Sequence, residues 1–393
     1  MDQRKKPIYL DCHATTPVDP RVAEAMMPYF TEKFGNPHSS GHLYGWEVAE
    51  AVEIAREQVA ALINAEPEEI LFTSGATEAN NIAIKGVARF YKKHRNHLVT
   101  AVSEHMCVLD SCFQLEREGF DVTYLRVGTD GLIDLNELEA AVTEQTILVS
   151  IMTVQNEIGT IQPMAEIGAI CRERKVFLHT DAAQAVGKMP VDVKQMKIDL
   201  LSLTAHKIFG PMGIGALYVG KKPRVRLEPI FSGGGQEQGL RSGTLAPALC
   251  VGLGEALKLA GEDMIEDAAR LRTLRDKMWQ RLNGTVPGLV LNGSMTDRVA
   301  VNLNFSVVGA DAESLMAALP GLAVSSGSAC SSASEESSHV LKAIGLSSSL
   351  AEASLRIGLG RFTTADEVEM ATDQLISAIK TVRGGRREIA AAE

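Results

Sequence analysis

The 393-residue sequence lacks the features that mark several classes of protein. It has no run of about 18 uninterrupted apolar residues, which a membrane-spanning helix requires, and its first residues include charges but no apolar segment of signal-peptide length. Its six cysteines show no paired metal-ligand spacing, so no metal site is predicted. No GxGxxG motif or Walker phosphate loop is present. We therefore expect a cytoplasmic protein with free thiols and no membrane partner.

Basic residues are also in the minority, with 39 Lys and Arg against 49 Asp and Glu, which gives a formal net charge of −10. Nucleic acids and anionic membranes require clustered Lys and Arg, and the two short basic clusters, at residues 221–226 and 383–387, are interpreted as solvated faces. The charge therefore argues against a nucleic-acid partner. A hydrophobic content of 45% and a charged content of 22% are typical of a globular enzyme, and the length favours two domains.

Strand-like and helix-like segments alternate through the first half of the chain. The strands are predicted at residues 70–73, 98–102, 122–125, 147–152, 176–180 and 199–204, and the helices at 44–63, from within the segment 74–81 to about 91, at 106–118 and at 135–142. This alternation predicts an α/β fold with a mainly parallel sheet flanked by helices on both faces. Residues 17–37 are too irregular for a regular element and are predicted to be a loop.

The second half of the chain has a different pattern. A long helical pattern at residues 246–282 precedes strand-like segments at 289–292, 299–305 and 355–359, and a last helix is predicted at 364–382. We interpret this change as a domain boundary. The predicted large domain spans residues 15–260, and a smaller α+β domain comprises residues 1–14 and 261–393.

Polar residues follow the carboxyl ends of the predicted parallel strands, where ligands bind in sheets of this kind. They are Thr77, Ser103, Glu104, His105, Asn156, Glu157, Asp181, Gln184, Thr204, His206 and Lys207. Each of them alone is more often a helix cap or a satisfied core group. Because five successive strand ends present compatible groups, we expect one shared site.

Lys207 follows an apolar strand and precedes a glycine-rich loop. Loss of hydration favours the neutral amine, which can form a Schiff base with a carbonyl. The turn Gly75-Ala76-Thr77 after another strand leaves backbone N–H groups at a helix N-terminus, which suits a phosphate, although a helix cap needs the same residues. A neutral lysine, an aspartate, a phosphate cradle and a stacking histidine together fit pyridoxal phosphate.

Residues 323–337 are mostly small and polar, and too poor in apolar surface to pack firmly, so a mobile loop is predicted. Cys330 lies on this loop and is not expected in the core. Cys107 and Cys112, five residues apart on a predicted helix, and the adjacent Cys12 and His13 are interpreted as core or near-core residues instead of ligands.

Eight motifs extend over nearly the whole chain: SGATEANN, SEHMCVLD, NEIG, HTDAAQAVGK, TAHKIFGPMGIGALY, GGGQEQGLRSGT, SSGSACSSAS and LRIGLGRFTT. In their order and number they resemble the motifs of the cysteine desulfurases, which are pyridoxal-phosphate enzymes of the class V aminotransferase family with the type I fold. The resemblance is to the housekeeping type that serves iron–sulfur cluster assembly.

The resemblance implies residues that bind the cofactor: Ala76, Thr77, His105, Asp181, Gln184, Thr204, His206, Lys207 and Thr244. Lys207 carries the cofactor as a Schiff base, Asp181 pairs with the ring nitrogen, and Gln184 bonds the ring hydroxyl. His105 stacks on the ring and shares in proton transfer. Thr244 reaches the phosphate from the other subunit of a homodimer.

The resemblance also implies the reaction. Asn156 and Arg356 hold the carboxylate of L-cysteine, with Arg356 as a bidentate fork. The Cys330 thiolate takes the substrate sulfur as a persulfide and leaves L-alanine. The sulfur then passes to an acceptor protein, such as an iron–sulfur scaffold. The catalytic residues are thus Cys330, Lys207 and His105.

Three other functions stay open from the sequence. Two are enzymes of the same fold, a selenocysteine lyase and an aminotransferase for small amino acids, although the latter has no use for Cys330 on a small-residue loop. The third is a sulfur carrier or assembly component without turnover. The complete set of lysine, aspartate and phosphate-binding residues argues against that.

Overall fold

The computed structural model of the protein describes residues 6–326 and 337–392, with side chains as far as residue 384. Its strands are β1 (Ile8–Tyr9), β2 (Ile70–Thr73), β3 (His97–Ala101), β4 (Asp121–Leu125), β5 (Thr146–Ser150), β6 (Phe177–Asp181), β7 (Leu200–Thr204), β8 (Gly215–Val219), β9 (Leu289–Leu291), β10 (Asn302–Val307), β11 (Leu322–Ala323), β12 (Ser325–Ser326) and β13 (Ser354–Gly358). Its α-helices are α1 (Pro20–Met26), α2 (Pro28–Thr31), α3 (Leu43–Leu62), α4 (Ala76–Tyr91), α5 (Met106–Arg117), α6 (Leu135–Ala141), α7 (Met164–Arg174), α8 (Pro247–Thr285), α9 (Ala312–Ala317), α10 (His339–Ala343), α11 (Ser348–Glu352) and α12 (Ala365–Ala392).

A seven-stranded sheet in the order β2-β8-β7-β6-β5-β3-β4 forms the centre of the fold. Only β8 runs antiparallel to its neighbours, and the pairs from β7 to β4 are all parallel. Strands β3, β5, β7 and β8 are buried along their whole length, as expected for strands covered on both faces. The predicted mainly parallel α/β sheet is confirmed.

Helices cover both faces of this sheet, and alternate side chains of one strand belong to different layers. Leu98 and Leu148 pack in a core cluster with apolar residues of α4 and α5. Their neighbours Val99 and Val149 pack in a second cluster with residues of α3 and α8. The predicted layer of helices on each face is therefore present.

A second, antiparallel sheet has the order β12-β13-β10-β9, and β1 pairs in parallel with β11 beside it. The backbone N–H of Gly358 donates to the carbonyl of Leu10 at 2.7 Å, so the first strand lies next to the last. Helix α8 contributes buried residues near both sheets and is continuous across residue 260. The domain division at that position stays a prediction.

The predicted loop at residues 17–37 is wrong in part, because it contains α1 and α2. The Asp19 side chain accepts the backbone N–H of Arg21 at 3.0 Å and caps α1, and Pro20 occupies the first helical position. Proline fits there because the N–H it lacks would have no helical partner. Pro20 and Pro28 each begin a short helix, so a proline in this segment does not exclude helical structure.

None of the helices in the part of the chain that the structure describes is both long enough and apolar enough to cross a membrane.

Candidate active site

A pocket of about 550 Å³ opens at the carboxyl ends of the central parallel strands. Its walls include nine of the predicted site residues: Ala76, Thr77, His105, Asn156, Asp181, Thr204, His206, Lys207 and Arg356. Gln184 is buried behind the wall, and Thr244 is exposed on the surface. Cys330 lies outside the described residues. The fold thus gathers side chains that are up to 280 residues apart in sequence, from Ala76 to Arg356.

The N-terminus of α4 forms one side of the pocket. Gly75 precedes this helix with a positive φ of 151°, a conformation that favours glycine, and no side chain caps the helix. A Cβ on Gly215 would clash with the carbonyl of Leu203 and with the backbone of Gly75, so glycine there lets the turn approach β8. The first N–H groups of α4, next to Ala76 and Thr77, are therefore available to an anion.

Asp181 ends β6, and neutral donors hold both of its carboxylate oxygens. The amide of Asn80 donates to Oδ2 at 2.7 Å, and the backbone N–H of Ala183 donates to Oδ1 at 2.9 Å. The side chain is 7% exposed. These contacts orient the carboxylate toward the pocket without neutralising its charge.

Lys207 lies on a single 3₁₀ turn, Ala205–Lys207, directly after β7. The turn is fastened to the N-terminal segment, because the carbonyl of His206 accepts the backbone N–H of Thr16 at 2.8 Å. The His206 ring contacts the Thr15 hydroxyl at 3.2 Å. Burial, with Lys207 and Lys188 nearby, lowers the pKa of His206 to about 4, so this ring is neutral at physiological pH.

His105 is the N-cap of α5, and its ring contacts the next turn of the chain. Nδ1 accepts the backbone N–H of Cys107 at 3.2 Å and lies 3.1 Å from its sulfur. Burial lowers the pKa of His105, against a smaller opposing effect of Asp181. Cys107 itself lies on the pocket wall, more exposed than the core position expected for it, whereas Cys112 is fully buried.

Gln184 is already engaged on both ends of its amide. Its Nε2 donates to the carbonyl of His13 at 2.9 Å, and its Oε1 accepts a hydrogen bond from Lys188 at 2.5 Å. Burial, and then the nearby Lys207, lowers the pKa of Lys188 to about 7. Sequence reasoning missed Lys188, although its spacing of four from Gln184 was a usable signal.

Arg356 lies on β13, 2% exposed, and its guanidinium is held by three groups. Nη1 donates to the carbonyl of Asn156 at 3.2 Å, and Nη2 donates to Oδ1 of Asp11 at 3.0 Å and to the Ser325 hydroxyl at 3.3 Å. That hydroxyl donates to the other Asp11 oxygen at 2.8 Å. Arg356 is predicted to bind the substrate carboxylate in a bidentate way. One of the nitrogens that would do so, Nη2, already donates to Asp11, so the substrate and Asp11 would have to share it.

His13 is a further wall residue that the sequence interpretation missed. It is 1% exposed, and neither ring nitrogen has a hydrogen-bond partner in residues 6–326 or 337–384. The Nε of Arg356 is in the same situation. Burial, together with Lys188, Arg356 and Lys207, holds the pKa of His13 well below its ordinary value. The expectation that Cys12 and His13 are near-core residues is correct for burial, but His13 also lines the pocket.

The family model described as "Aminotransferase class-V" matches residues 8–370. The chain belongs to the class-V aminotransferase family. The match covers both sheets and every pocket residue named above. The family predicted from the sequence motifs is confirmed.

Individual relatives are consistent with this assignment. The chain is 55% identical over 377 residues to "Cysteine desulfurase IscS" of Rickettsia bellii, covering 96% of this chain and 92% of the relative. It is 56% identical over 378 residues to "Cysteine desulfurase, mitochondrial" of Drosophila melanogaster, covering 96% and 82%. A solved structure described as "SspA in complex with cysteine" superimposes with a TM-score of 0.80 at 39% identity, covering 91% of this chain and 99% of that one.

Proposed function

We propose that this class-V enzyme is a pyridoxal-phosphate-dependent cysteine desulfurase, which converts L-cysteine to L-alanine and transfers the sulfur to Cys330 as a persulfide. The observation that carries the proposal is one pocket that combines Lys207, Asp181, His105 and an uncapped helix N-terminus in a chain of this family. The persulfide sulfur then passes to an acceptor protein for iron–sulfur cluster assembly and other pathways.

The residues of the pocket fit pyridoxal phosphate. The uncapped N-terminus of α4, with the hydroxyls of Thr77 and Thr204, supplies donors for a phosphate. Arg356 adds positive charge to the same walls, which favours an anionic ligand. The two ring nitrogens of His13 and the Nε of Arg356, which have no hydrogen-bond partner among the described residues, are also suited to a polar occupant.

When bound, this cofactor supplies an electron sink for the electron pair left at a substrate carbon that loses a proton. Lys207 would hold the cofactor covalently, and its amine, once displaced by the amine of the substrate, would take the Cα proton. Asp181 would pair with the ring nitrogen. Asn80 and the N–H of Ala183 fix the orientation of that carboxylate, so that it needs no rearrangement during turnover.

Asn156 and Arg356 orient the substrate through its carboxylate. The contact of Nη1 with the Asn156 backbone fastens the guanidinium to the segment after β5, and Asp11 fixes its opposite edge. Both contacts hold the arginine in one rotamer before the substrate arrives. His105 would cover the cofactor ring and would hold a proton for the substrate.

We further propose that the protein acts as a homodimer in which Thr244 contributes to the phosphate site of the neighbouring subunit. Its exposure in the single chain and its absence from that chain's own pocket support this arrangement. We also propose a cytoplasmic location, although one of the relatives is named as mitochondrial.

The proposed function is tested with the Cys330→Ser variant. The parent enzyme is expected to release alanine and sulfide together from L-cysteine in the presence of a thiol reductant. Brief exposure to cysteine without reductant should add the mass of one sulfur to the Cys330 peptide. Cys330→Ser should bind the cofactor but release alanine at less than about a hundredth of the parent rate, since a hydroxyl is a much weaker nucleophile toward sulfur.

Cys171→Ala is the matched control, because Cys171 is buried in α7 away from the pocket, and it should keep most of the activity. Alanine release at the parent rate by Cys330→Ser would contradict the proposal. It would favour instead a selenocysteine lyase or an aminotransferase for small amino acids.

A further inference from the structure

The thiol of Cys107 connects three side chains that the proposed function uses. Its sulfur lies 3.1 Å from Nδ1 of His105 and 3.2 Å from Nδ2 of Asn80, and it also interacts with the side chain of Thr77. The other amide hydrogen of Asn80 reaches Asp181. His105 and Asp181 are thus joined through a continuous path that runs His105, Cys107, Asn80, Asp181.

The directions of these hydrogen bonds follow from the groups involved. Asn80 donates through Nδ2 to Asp181, which can only accept, so the same Nδ2 also donates to the sulfur of Cys107. Burial raises the pKa of Cys107 to about 12, so the thiol keeps its proton at physiological pH. That proton has His105 Nδ1 as an acceptor 3.1 Å from the sulfur.

Two donors therefore converge on Nδ1 of His105, the thiol and the backbone N–H of Cys107. A nitrogen that accepts hydrogen bonds carries no proton of its own. Because burial favours the neutral imidazole, its single proton is on Nε2. No hydrogen bond from Nε2 to another described residue is present, and His105 lines the pocket, so this N–H is available to a ligand.

We propose that Cys107 is a positioning residue that fixes His105 in its Nε2–H form and couples the ring to the Asn80–Asp181 pair. The consequence for catalysis rests on the proposed function, in which His105 holds a proton for the substrate. In this form His105 donates a hydrogen bond from Nε2 and cannot accept one there.

The charged groups near His105 come from several elements, and the test leaves all of them unchanged. They are Asp181 at the end of β6, Lys207 after β7, His339 on α10 and Asp110 on α5. The two aspartates raise the pKa of His105, and Lys207 and His339 lower it. A difference between Cys107 variants therefore reports on the thiol itself.

The first experiment records ¹⁵N NMR spectra of the ¹⁵N-histidine-labelled enzyme as purified, with a His105→Gln variant to assign the resonance among nine histidines. His105 of the parent should show Nε2 protonated and Nδ1 unprotonated. In Cys107→Ala one donor to Nδ1 is lost, so the neutral ring is less favoured, and the pKa of His105 should rise by about half a unit. Cys107→Ser, which keeps an O–H donor, should restore the parent value.

Cys112→Ala is the matched control, since Cys112 lies on the same helix but is fully buried away from the pocket. It should leave the spectrum of His105 unchanged. A parent ring protonated at Nδ1, or a pKa of His105 that is the same in Cys107→Ala and the parent, would overturn the proposal. The NMR measurement does not need turnover, so its result is independent of whether the enzyme is a cysteine desulfurase.

The second experiment measures the pH dependence of kcat for alanine release. If turnover needs neutral His105, the acidic limb of the profile should move to higher pH in Cys107→Ala by the same half unit, with KM for cysteine unchanged. Cys107→Ser should return the limb to its parent position. A limb that does not move in Cys107→Ala, while the NMR pKa does, would overturn the link between this thiol and turnover.

Discussion

The amide of Asn80 donates a 2.7 Å hydrogen bond to one carboxylate oxygen of Asp181, and the backbone N–H of Ala183 donates to the other at 2.9 Å. Both of its donors are neutral. Neither of these two contacts places a cation against the carboxylate, and a charge at a buried position such as Asp181 acts more strongly than it would in water. It can therefore hold a proton on a ligand nitrogen in the pocket.

Asp181→Asn is expected to separate cofactor binding from turnover. The substitution keeps the size of the side chain and removes its charge, so cofactor content should stay near the parent value while kcat falls by roughly a hundredfold or more. Cofactor content is measured by absorbance and kcat by alanine release. Unchanged turnover in this variant would remove Asp181 from the catalytic site.

Lys207→Ala and Lys188→Met are expected to behave differently, although both lysines lie near the pocket. Borohydride reduction of the parent should attach the cofactor to the peptide that contains Lys207. Lys207→Ala should show no attachment, whereas Lys188→Met should keep it, because the amine of Lys188 is bonded to Gln184 behind the wall. If the reduced cofactor were found on the Lys188 peptide of the parent, the assignment of Lys207 would be wrong.

The sequence predicted the elements whose periodicity is strong and local. Strand β2 and the start of α5 lie where they were predicted, α4 ends at the predicted residue, and α3 differs by one residue at each end. Strand ends also predicted most of the pocket, because parallel strands in one sheet deliver their carboxyl ends to one edge. The signal for Lys207 was of this kind.

Contacts between distant segments were not predictable in the same way. Asp11 accepts a hydrogen bond from Arg356, 345 residues away in sequence, and no local sequence pattern predicts that pair. His13 was interpreted as a near-core residue because an isolated histidine gives no indication of which cavity it will line. The contact of Gln184 with the carbonyl of His13, 171 residues away, similarly depends on tertiary packing, whereas Lys188 lies only four residues from Gln184.

Glu157 is expected to make stability depend on pH. Its carboxylate accepts the Ser338 hydroxyl at 2.6 Å, and burial raises its pKa to about 7. A raised pKa in the folded state means that the folded protein binds the proton more tightly than the unfolded chain. The resulting stabilisation is complete below the unfolded pKa, near 4.5, and is lost as the pH rises to about 7.

Glu157→Gln should therefore gain stability relative to the parent between these pH values, by on the order of 3 kcal/mol. Thermal unfolding of both proteins at several pH values measures the difference. Glu166→Gln, an exposed position on α7, is the control and should follow the parent at every pH. Parallel curves for Glu157→Gln and the parent would contradict the assignment of Glu157 as the titrating group.

Thr244 is expected to act in the neighbouring subunit, which a subunit-mixing experiment tests directly. Its segment is fixed near the start of α4, since Arg241 donates to Glu78 at 2.6 Å, yet Thr244 itself is exposed and absent from the pocket wall of its own chain. Lys207→Ala and Thr244→Ala chains carrying different tags are co-expressed, and the heterodimer is isolated. If Thr244 acts across the interface, one of the two sites has both native residues and the other has neither.

That heterodimer should have about half the activity of the parent dimer, although each homodimeric variant is impaired. If Thr244 instead served its own chain, every site in the heterodimer would lack either Lys207 or Thr244, and mixing would recover nothing. A fully active monomer in solution would exclude the interface altogether. The half-recovered heterodimer is the outcome that a site shared between subunits requires, because each lysine then works with a threonine from the other chain.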